Sequence, residues 1–542
     1  MISFVCNTDD PVSRYGIDHF IHTAGLSVLP GGNTDSGVCI GYETEGMGQF
    51  SVSVVRNTAI EVNAGEIATH NLEYPLFQVP IDTYDAGNRC IAEFRSENLK
   101  YPCISGSDSG ILIGFDIFRL TGSLLSGYLD KTGAGSDDEH YPHLISQPLV
   151  DFYEDMLFKA ILMGCSEIGM PLVRKSYWPP GREFAVCLTH DVDEFTKTYQ
   201  WITRPLRYLK GGDFNGLKNQ MKSFSRKIRG HEPYWTFEEI MQNEKKQGVC
   251  STYFFLKESG KKSLFRPESW HLYGRSHSLQ KPCVIGLIRK LSEEGHEIGV
   301  HGSTFSHNNP ILLNCEKAEI ETLLGIPVRG IRQHRLNLTI PDTWDFQSDA
   351  GFVYDTSLGY KAANGTGFRW GTCFPFHPQG ATGVLPLLEI PLSLMDITLQ
   401  DGGAGWDICN SMIEQVRNVR GVLTLLWHPA VFNNLEYPEI GSWYWKIIEA
   451  CKENGGWVTT GGEIASWWHS REATAYECLY SDGELSVCCD GNAECSYDLY
   501  VPENRSAELI SENATLSMAE NGHYILSSEN GHMPNKMVVR LR

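Results

Sequence analysis

From residue 184 to about residue 463, short strand-like runs take turns with helical stretches, and this alternation restricts the fold more than any other feature of the chain. The runs "FAVCLT", "STYFFL", "EIGVHG", "RGIRQH", "LLEIPLS", "VLTLLWH" and "WVTTGGEI" are separated by "TFEEIMQNEKKQG", "CVIGLIRKLSEEG", "CEKAEIETLLG", "TWDFQSDAG", "WDICNSMIEQVRNV" and "SWYWKIIEACKENG". Repeated β-α order implies a parallel sheet covered by helices. Just upstream, "YWPPGRE" can continue neither a helix nor a central strand, so a domain boundary is expected there. Three domains follow: an N-terminal α/β ancillary domain over 1–177, a β/α domain over 182–470, and a small all-β domain over 471–542. The last is indicated by short alternating runs split by Asn-Gly and Asp-Gly turns. In the first, "SGSDSG" is read as a turn and "KTGAGSDDEHYP" as a mobile exposed loop.

Composition limits the partners. The chain has 542 residues and a formal charge of -21, so its overall field repels polyanions and no nucleic-acid partner is expected. Residues 201–230 depart from that balance, with eight Lys and Arg against Asp213 alone. A solvated face is one reading of this insert; docking to a phosphate-bearing substrate or a membrane surface is the other. The first residues lack a cationic segment followed by an apolar core, and no apolar run approaches 18 residues, so no transmembrane segment is expected. Sixteen scattered cysteines without a CxxC pair fit a reduced, cytoplasmic interior.

In parallel β/α folds, functional residues gather at the carboxyl ends of strands. Five such ends carry ionisable side chains. "LTHDVD" brings His190, Asp191 and Asp193; "GHEIGVHGSTFSH" brings His296, His301 and His307; "RGIRQHR" brings Arg329, Arg332 and His334; "EIPLSLMD" brings Glu389 and Asp396; "LLWHP" brings His428. These types suit metal-assisted hydrolysis, in which one carboxylate ligates a cation while a second takes a proton from water. His190 points to the opposite side of an extended strand from Asp191 and is read as packing or supporting. His296, at a helix-to-strand turn, is read as structural. "GFRWGTCFPF" either walls the cleft with Arg369, Trp370 and Phe376 or packs in the core.

Taken together, "THDVD", "STYFFL", "GHEIGVH", "GIRQH", "GFVYDTSLG" and "LLWH" resemble the ordered motifs of the polysaccharide deacetylase superfamily, in its carbohydrate esterase family 4-like, Asp-x-Asp branch. The resemblance covers roughly 184–470. It implies an incomplete (β/α) barrel and a metal-dependent hydrolase that removes an acetyl group, on nitrogen in the first instance, from a carbohydrate or glycan precursor. Asp191 would be the base, Arg332 its holder and His428 the acid, while His334, Leu426 and Trp427 would face substrate. A divalent metal, zinc by expectation, would be bound by Asp193 and His301. The chain departs from the family at the second histidine ligand, where Phe305 stands; His307, or else His334, is left to complete the set. The implied partner is an acetylated sugar, with peripheral contact to a lipid-linked substrate. Two rivals stand beside this reading: a non-catalytic glycan-binding or scaffold protein on a degenerate barrel, and a hydrolase of a non-sugar amide C–N bond.

Overall fold

The computed structural model describes residues 2–30, 37–42, 48–56, 65–68, 73–76, 89–96, 99–128, 130, 147–258, 263, 265, 269–275, 279–360, 366–399, 405–489, 495–520, 522–528 and 534–542. The loop "KTGAGSDDEHYP" lies outside them. The chain divides into two compact units, one made of Met1–Arg182, Trp370–Thr372 and Trp467–Arg542, the other of Glu183–Arg369 and Cys373–Ser466.

The first unit holds a nine-stranded mixed sheet and two four-stranded sheets. "SGSDSG" is a turn, joining Leu99–Ser107 to Gly110–Ile113 as an antiparallel pair. Leu172–Lys175 pairs antiparallel with Tyr497–Tyr500, and Val173 joins Val487, Leu499, Leu526 and Val539 in one buried cluster. A strand of the N-terminal segment thus completes a C-terminal sheet. All sixteen cysteines are free thiols.

The second unit is built on parallel strands β1 (Phe184–Val192), β2 (Thr252–Leu256), β3 (Glu297–Gly302), β4 (Gly330–Gln333), β5 (Tyr354–Asp355), β6 (Leu388–Glu389), β7 (Leu394–Met395), β8 (Val422–Leu426) and β9 (Gly456–Thr459). Their order is β6-β5-β4-β3-β2-β1-β8-β7, with β9 pairing the first half of β1 and β2 the second. Every residue of β1, β2 and β8 is buried. Burial on both faces of the sheet explains why these strands read as continuous apolar runs rather than as alternations.

The helices used below are α1 (Gln200–Gly211), α2 (Phe214–Ile228), α3 (Phe237–Gln247), α4 (Pro282–Glu293), α5 (Pro310–Leu324), α6 (Asp342–Asp349), α7 (Gly405–Val419) and α8 (Ile440–Glu453). Local chemistry sets their ends. Asn309 accepts from Leu312 N (3.1 Å) to cap α5, and Gly248, at φ 66°, ends α3 in a left-handed turn that a β-carbon would strain.

The sheet is forced to curl by a short connection. β6 and β7 lie at its opposite edges, yet Glu389 and Leu394 are five residues apart and so separated by at most about 17 Å. Eight strands laid flat would span about 33 Å. The result is an incomplete α/β barrel whose edges are bridged by residues 390–393. Ile390 N–H donates to Asp355 O (2.9 Å) on one side and Ser393 N–H to Thr424 O (3.2 Å) on the other.

At this seam two carboxyl groups are buried together. Trp344 Nε1–H, from α6, donates to Asp355 Oδ2 (3.2 Å) and Glu389 Oε2 (3.0 Å), and Leu358 N–H donates to Glu389 Oε1 (2.9 Å). Burial, then the neighbouring Asp355 charge, pushes Glu389 well above the usual carboxylate range. A carboxyl raised on folding holds its proton more tightly in the folded state, so its contribution is present at low pH and is lost as pH rises through the folded value. Urea denaturation is expected to show this contribution falling as pH is raised from the ordinary carboxylate value, about 4.3, towards the raised folded value, and Glu389→Gln is expected to flatten that fall.

Candidate active site

Strand β1 ends in three side chains on one face: Thr189, Asp191 and, just beyond it, Asp193. Alternation turns His190 the other way, where it is fully buried. Its Nδ1 lies 2.7 Å from Trp427 O and its Nε2 3.2 Å from Glu244 Oε1, so it ties β1 to β8 and α3 and takes no part in the cleft.

Asp191 is held from β4 by Arg332, whose side chain is fully buried. Arg332 NH1 donates to Asp191 Oδ1 (3.0 Å) and Thr189 Oγ1 (2.6 Å), Nε to Thr356 O (2.9 Å) and NH2 to Thr356 Oγ1 (3.1 Å). The guanidinium also lies 4.9 Å over the Phe254 ring. Gly299 makes room for that ring: a β-carbon there would stand 2.4 Å from Phe254 Cδ1. Four hydrogen bonds and a ring face make burial of this cation tolerable, and one carboxylate oxygen is fixed while the other stays free.

Beyond Asp191, Asp193, His301 and His334 form a triangle whose ligand atoms all lie within 4.8 Å of one another. His301 Nδ1–H donates to Arg332 O (2.8 Å), which leaves the Nε2 lone pair directed at Asp193 Oδ1 (3.3 Å) and near Asp191 Oδ2 (3.4 Å). His334 follows the same pattern. Its Nδ1–H donates to Glu258 Oε1 (2.6 Å), and its Nε2 lies 3.6 Å from Asp193 Oδ2. Burial opposes ionisation of Glu258, but the hydrogen bonds from His334 and Thr304 bring it down to about 2.

The donor set fits a divalent cation. Asp193 Oδ1 is buried without a hydrogen-bond partner, and it faces a bare imidazole lone pair, an approach of two acceptors that a cation between them would stabilise. Both histidines are oriented through Nδ1 by a backbone carbonyl or a carboxylate, as metal-ligating histidines are. One group competes. Arg275 NH2 lies 3.0 Å from Asp193 Oδ2 and its NH1 3.1 Å from His334 Nε2, so this guanidinium occupies part of the same triangle. Burial would raise Asp193, yet Arg275 and His334 hold it well below the usual carboxylate range.

His428 follows β8 and lines the same cavity, of about 280 Å³, as Asp191 and Asp193. Asp396, buried at the end of β7, accepts from His428 N–H (2.6 Å) and from Nδ1–H (3.1 Å), so the ring is clamped and Nε2 is left free. Burial works against a charged imidazole here, but Asp396 outweighs it and pushes His428 up to about 9. The ring is therefore an acid at neutral pH.

The structure redistributes the other expected site residues. His307 is not in the triangle: its Nδ1 lies 3.0 Å from Thr304 O within a short helical turn, and His334 takes the expected place. Phe305 is 59% exposed and has no part in the ligand set. Trp427 does not face substrate. It is fully buried, with Nε1–H donating to Ile440 O (3.0 Å), because it alternates with Leu426 and His428. Leu426 sits in a small apolar cluster with Leu336, Leu392 and Met395. His296 is a buried structural residue whose Nδ1 accepts from Ser251 N–H (3.2 Å). Phe376 packs in the core against Trp344, and Trp370 is buried as well. In the basic insert, Arg204 and Arg207 line the cavity, whereas Arg226 and Arg229 are exposed and Lys227 pairs with Glu232. Glu258, Arg275, Thr189 and Thr356 were not expected at the site, and Asp396 was noted only as a polar strand end.

No family model matches the chain, and no curated protein matches it. Among solved structures it is similar to a provisionally assigned polysaccharide deacetylase from Mycobacterium smegmatis, at 16% identity and a TM-score of 0.37, over 57% of this chain and 98% of that one. The chain is similar to polysaccharide deacetylases. Two further likenesses are to the allantoinase PuuE, at 15% identity and a TM-score of 0.35 over 55% of this chain and 93% of that one, and to a CE4 family pseudoenzyme from Bacillus anthracis, at 13% identity and a TM-score of 0.26 over 54% and 69%.

Arg332 is expected to be the most sensitive position in the cleft. Arg332→Met leaves Asp191 buried and unpaired, and a loss of about 3–5 kcal/mol in chemical denaturation is expected. Gly299→Ala, which displaces Phe254 from beneath the guanidinium, is expected to destabilise the fold in the same assay.

Proposed function

We propose that this chain is a metal-dependent hydrolase that removes an acetyl group from an N-acetylated sugar or glycan precursor. The observation that carries the reading is the division of labour in the cleft. Asp191 is held through one oxygen by Arg332, a three-residue donor set lies beside its other oxygen, and a clamped, protonated His428 lines the same cavity.

In this reading Asp193 Oδ1, His301 Nε2 and His334 Nε2 would hold a divalent cation such as zinc, which when bound polarises the amide carbonyl and lowers the pKa of a water. Asp191 Oδ2 is placed to take the proton of a water that adds to the carbonyl carbon. Arg332 keeps the carboxylate from turning and stabilises its charge. His428 Nε2 gives its proton to the amide nitrogen as the C–N bond breaks, so that acetate and a free amine leave. Asp396 restores the charge balance of the imidazolium and fixes its direction.

A second reading is favoured by Arg275. Its guanidinium meets two of the three ligands, and a cleft that kept it there would bind glycan without hydrolysing it. Metal analysis of the purified chain separates the two. About one divalent ion per chain, lost in Asp193→Asn, supports the hydrolase, and no uptake even in Arg275→Ala supports the binding module.

The mechanism is tested by acetate release from a panel of acetylated sugars. Asp191→Asn is expected to lower it by about 10²–10⁴ while metal content is kept; full activity in this variant would sink the assignment of the base. NMR titration of His428 in metal-stripped protein is expected to give a pKa near 9, with a clear drop in Asp396→Asn. Because the protonated form is the acid, activity is expected to decline as pH rises through that value, and at lower pH in the variant.

A further inference from the structure

Helices α1 and α2 have their amphipathicity reversed. On α2 the buried residues are Gln220 and Ser223, with Lys197 Nζ donating to Gln220 Oε1 (2.5 Å). The apolar residues point out: Phe214 is 78% exposed, Met221 75%, Phe224 55% and Ile228 72%. Their spacing of 7, 3 and 4 residues aligns them in one stripe. On α1, Ile202, Leu206 and Leu209 recur at i, i+4 and i+7 and are 54%, 51% and 59% exposed. A helix on a protein in water buries its apolar stripe. Here two adjacent helices do the opposite.

Charge tells what covers them. Residues 201–230 carry eight Lys and Arg against one Asp, a net of +7, so the rest of the chain carries -28 of the total of -21. Lys210, Lys218, Lys222, Arg226 and Arg229 are exposed beside the stripes. A symmetric dimer through this hairpin would set +7 against +7. An anionic lipid surface takes both components, since its acyl boundary accepts the apolar stripe and its headgroups the cations. The acidic remainder of the chain would be repelled by the same surface, which leaves the hairpin as the part that docks.

We propose that the α1–α2 hairpin is an interfacial element that seats the protein on an anionic membrane. α1 joins the surface to the cleft. Gln200, Arg204 and Arg207 line the cavity that holds Asp191, while Ile202, Leu206 and Leu209 lie about half a turn round the same helix. A second cavity of about 660 Å³ shares Tyr199, Gln200, Arg204, Arg207 and Tyr437 with the first and extends along α1. A sugar presented at a membrane surface would reach the carboxylates along this wall. The proposal does not depend on the chemistry at Asp191.

The test is flotation of the full-length protein with phosphatidylcholine vesicles, with and without phosphatidylglycerol. Binding to the anionic vesicles that weakens with salt is expected, with little binding to phosphatidylcholine alone. Phe214→Ser, Met221→Ser and Ile228→Ser combined are expected to lower it at least about tenfold with unchanged thermal melting, and Lys218→Ala or Lys222→Ala about fivefold each. Two outcomes overturn the proposal. One is absence of wild-type binding to anionic vesicles. The other is a dimer, seen by light scattering, that the same triple substitution dissolves while vesicle binding is unchanged.

Discussion

The Arg332 guanidinium is the interaction on which the cleft depends. It reaches from β4 to the ends of β1 and β5, so the positions of Thr189, Asp191 and Thr356 are set by one side chain. Its own backbone carbonyl takes the Nδ1 proton of His301 and thereby decides which imidazole nitrogen faces the triangle. One residue thus orients the candidate base and a candidate ligand, through opposite ends of the same amino acid. A buried cation is costly unless it is paired and hydrogen-bonded, and that requirement ties the geometry of the site to the stability of the barrel.

The cleft separates acid from base by environment rather than by residue type. His428 and His334 each meet a buried carboxylate through Nδ1, Asp396 and Glu258, and both imidazoles are pushed up, whereas His301 meets a backbone carbonyl. What separates His334 from His428 is what each Nε2 faces: Arg275 and Asp193 in one case, the open cavity in the other. Arg275 adds a counter-charge to this scheme: it pairs with Asp193 and lines the same cavity.

Much of this was legible in the sequence. The β-α alternation specified a parallel sheet, and five polar strand ends marked the cleft, because strand carboxyl ends are where loops converge. The period of two along β1 sent His190 to the far face, and the same rule applied to "LLWH" removes Trp427 from the cleft. His334 could not be chosen over His307 from spacing, since the choice depends on how the chain turns after β4. There Arg335 and Leu336 both adopt left-handed φ, of 60° and 52°, which no residue type in that stretch announces. Glu258 follows β2, and Arg275 ends the four-residue helix Leu272–Arg275, too short for a periodicity to announce it. The pairing of Leu172–Lys175 with Tyr497–Tyr500 spans more than three hundred residues, and nothing local encodes it.

The bridge at 390–393 has a consequence for how the barrel assembles. The two edges of a curled eight-stranded sheet would ordinarily have to find each other across most of the domain's length, at a loop-closure cost that grows with separation. Here the edge strands are neighbours in the chain, and Asp355 and Thr424 are each joined to this one short linker. Closure of the barrel at this seam becomes a low-contact-order event, and the long-range pairings left to this unit are those of β1 with β8 and with β9. A single added residue between Glu389 and Leu394 would therefore act on the rate of folding as well as on the packing of the seam.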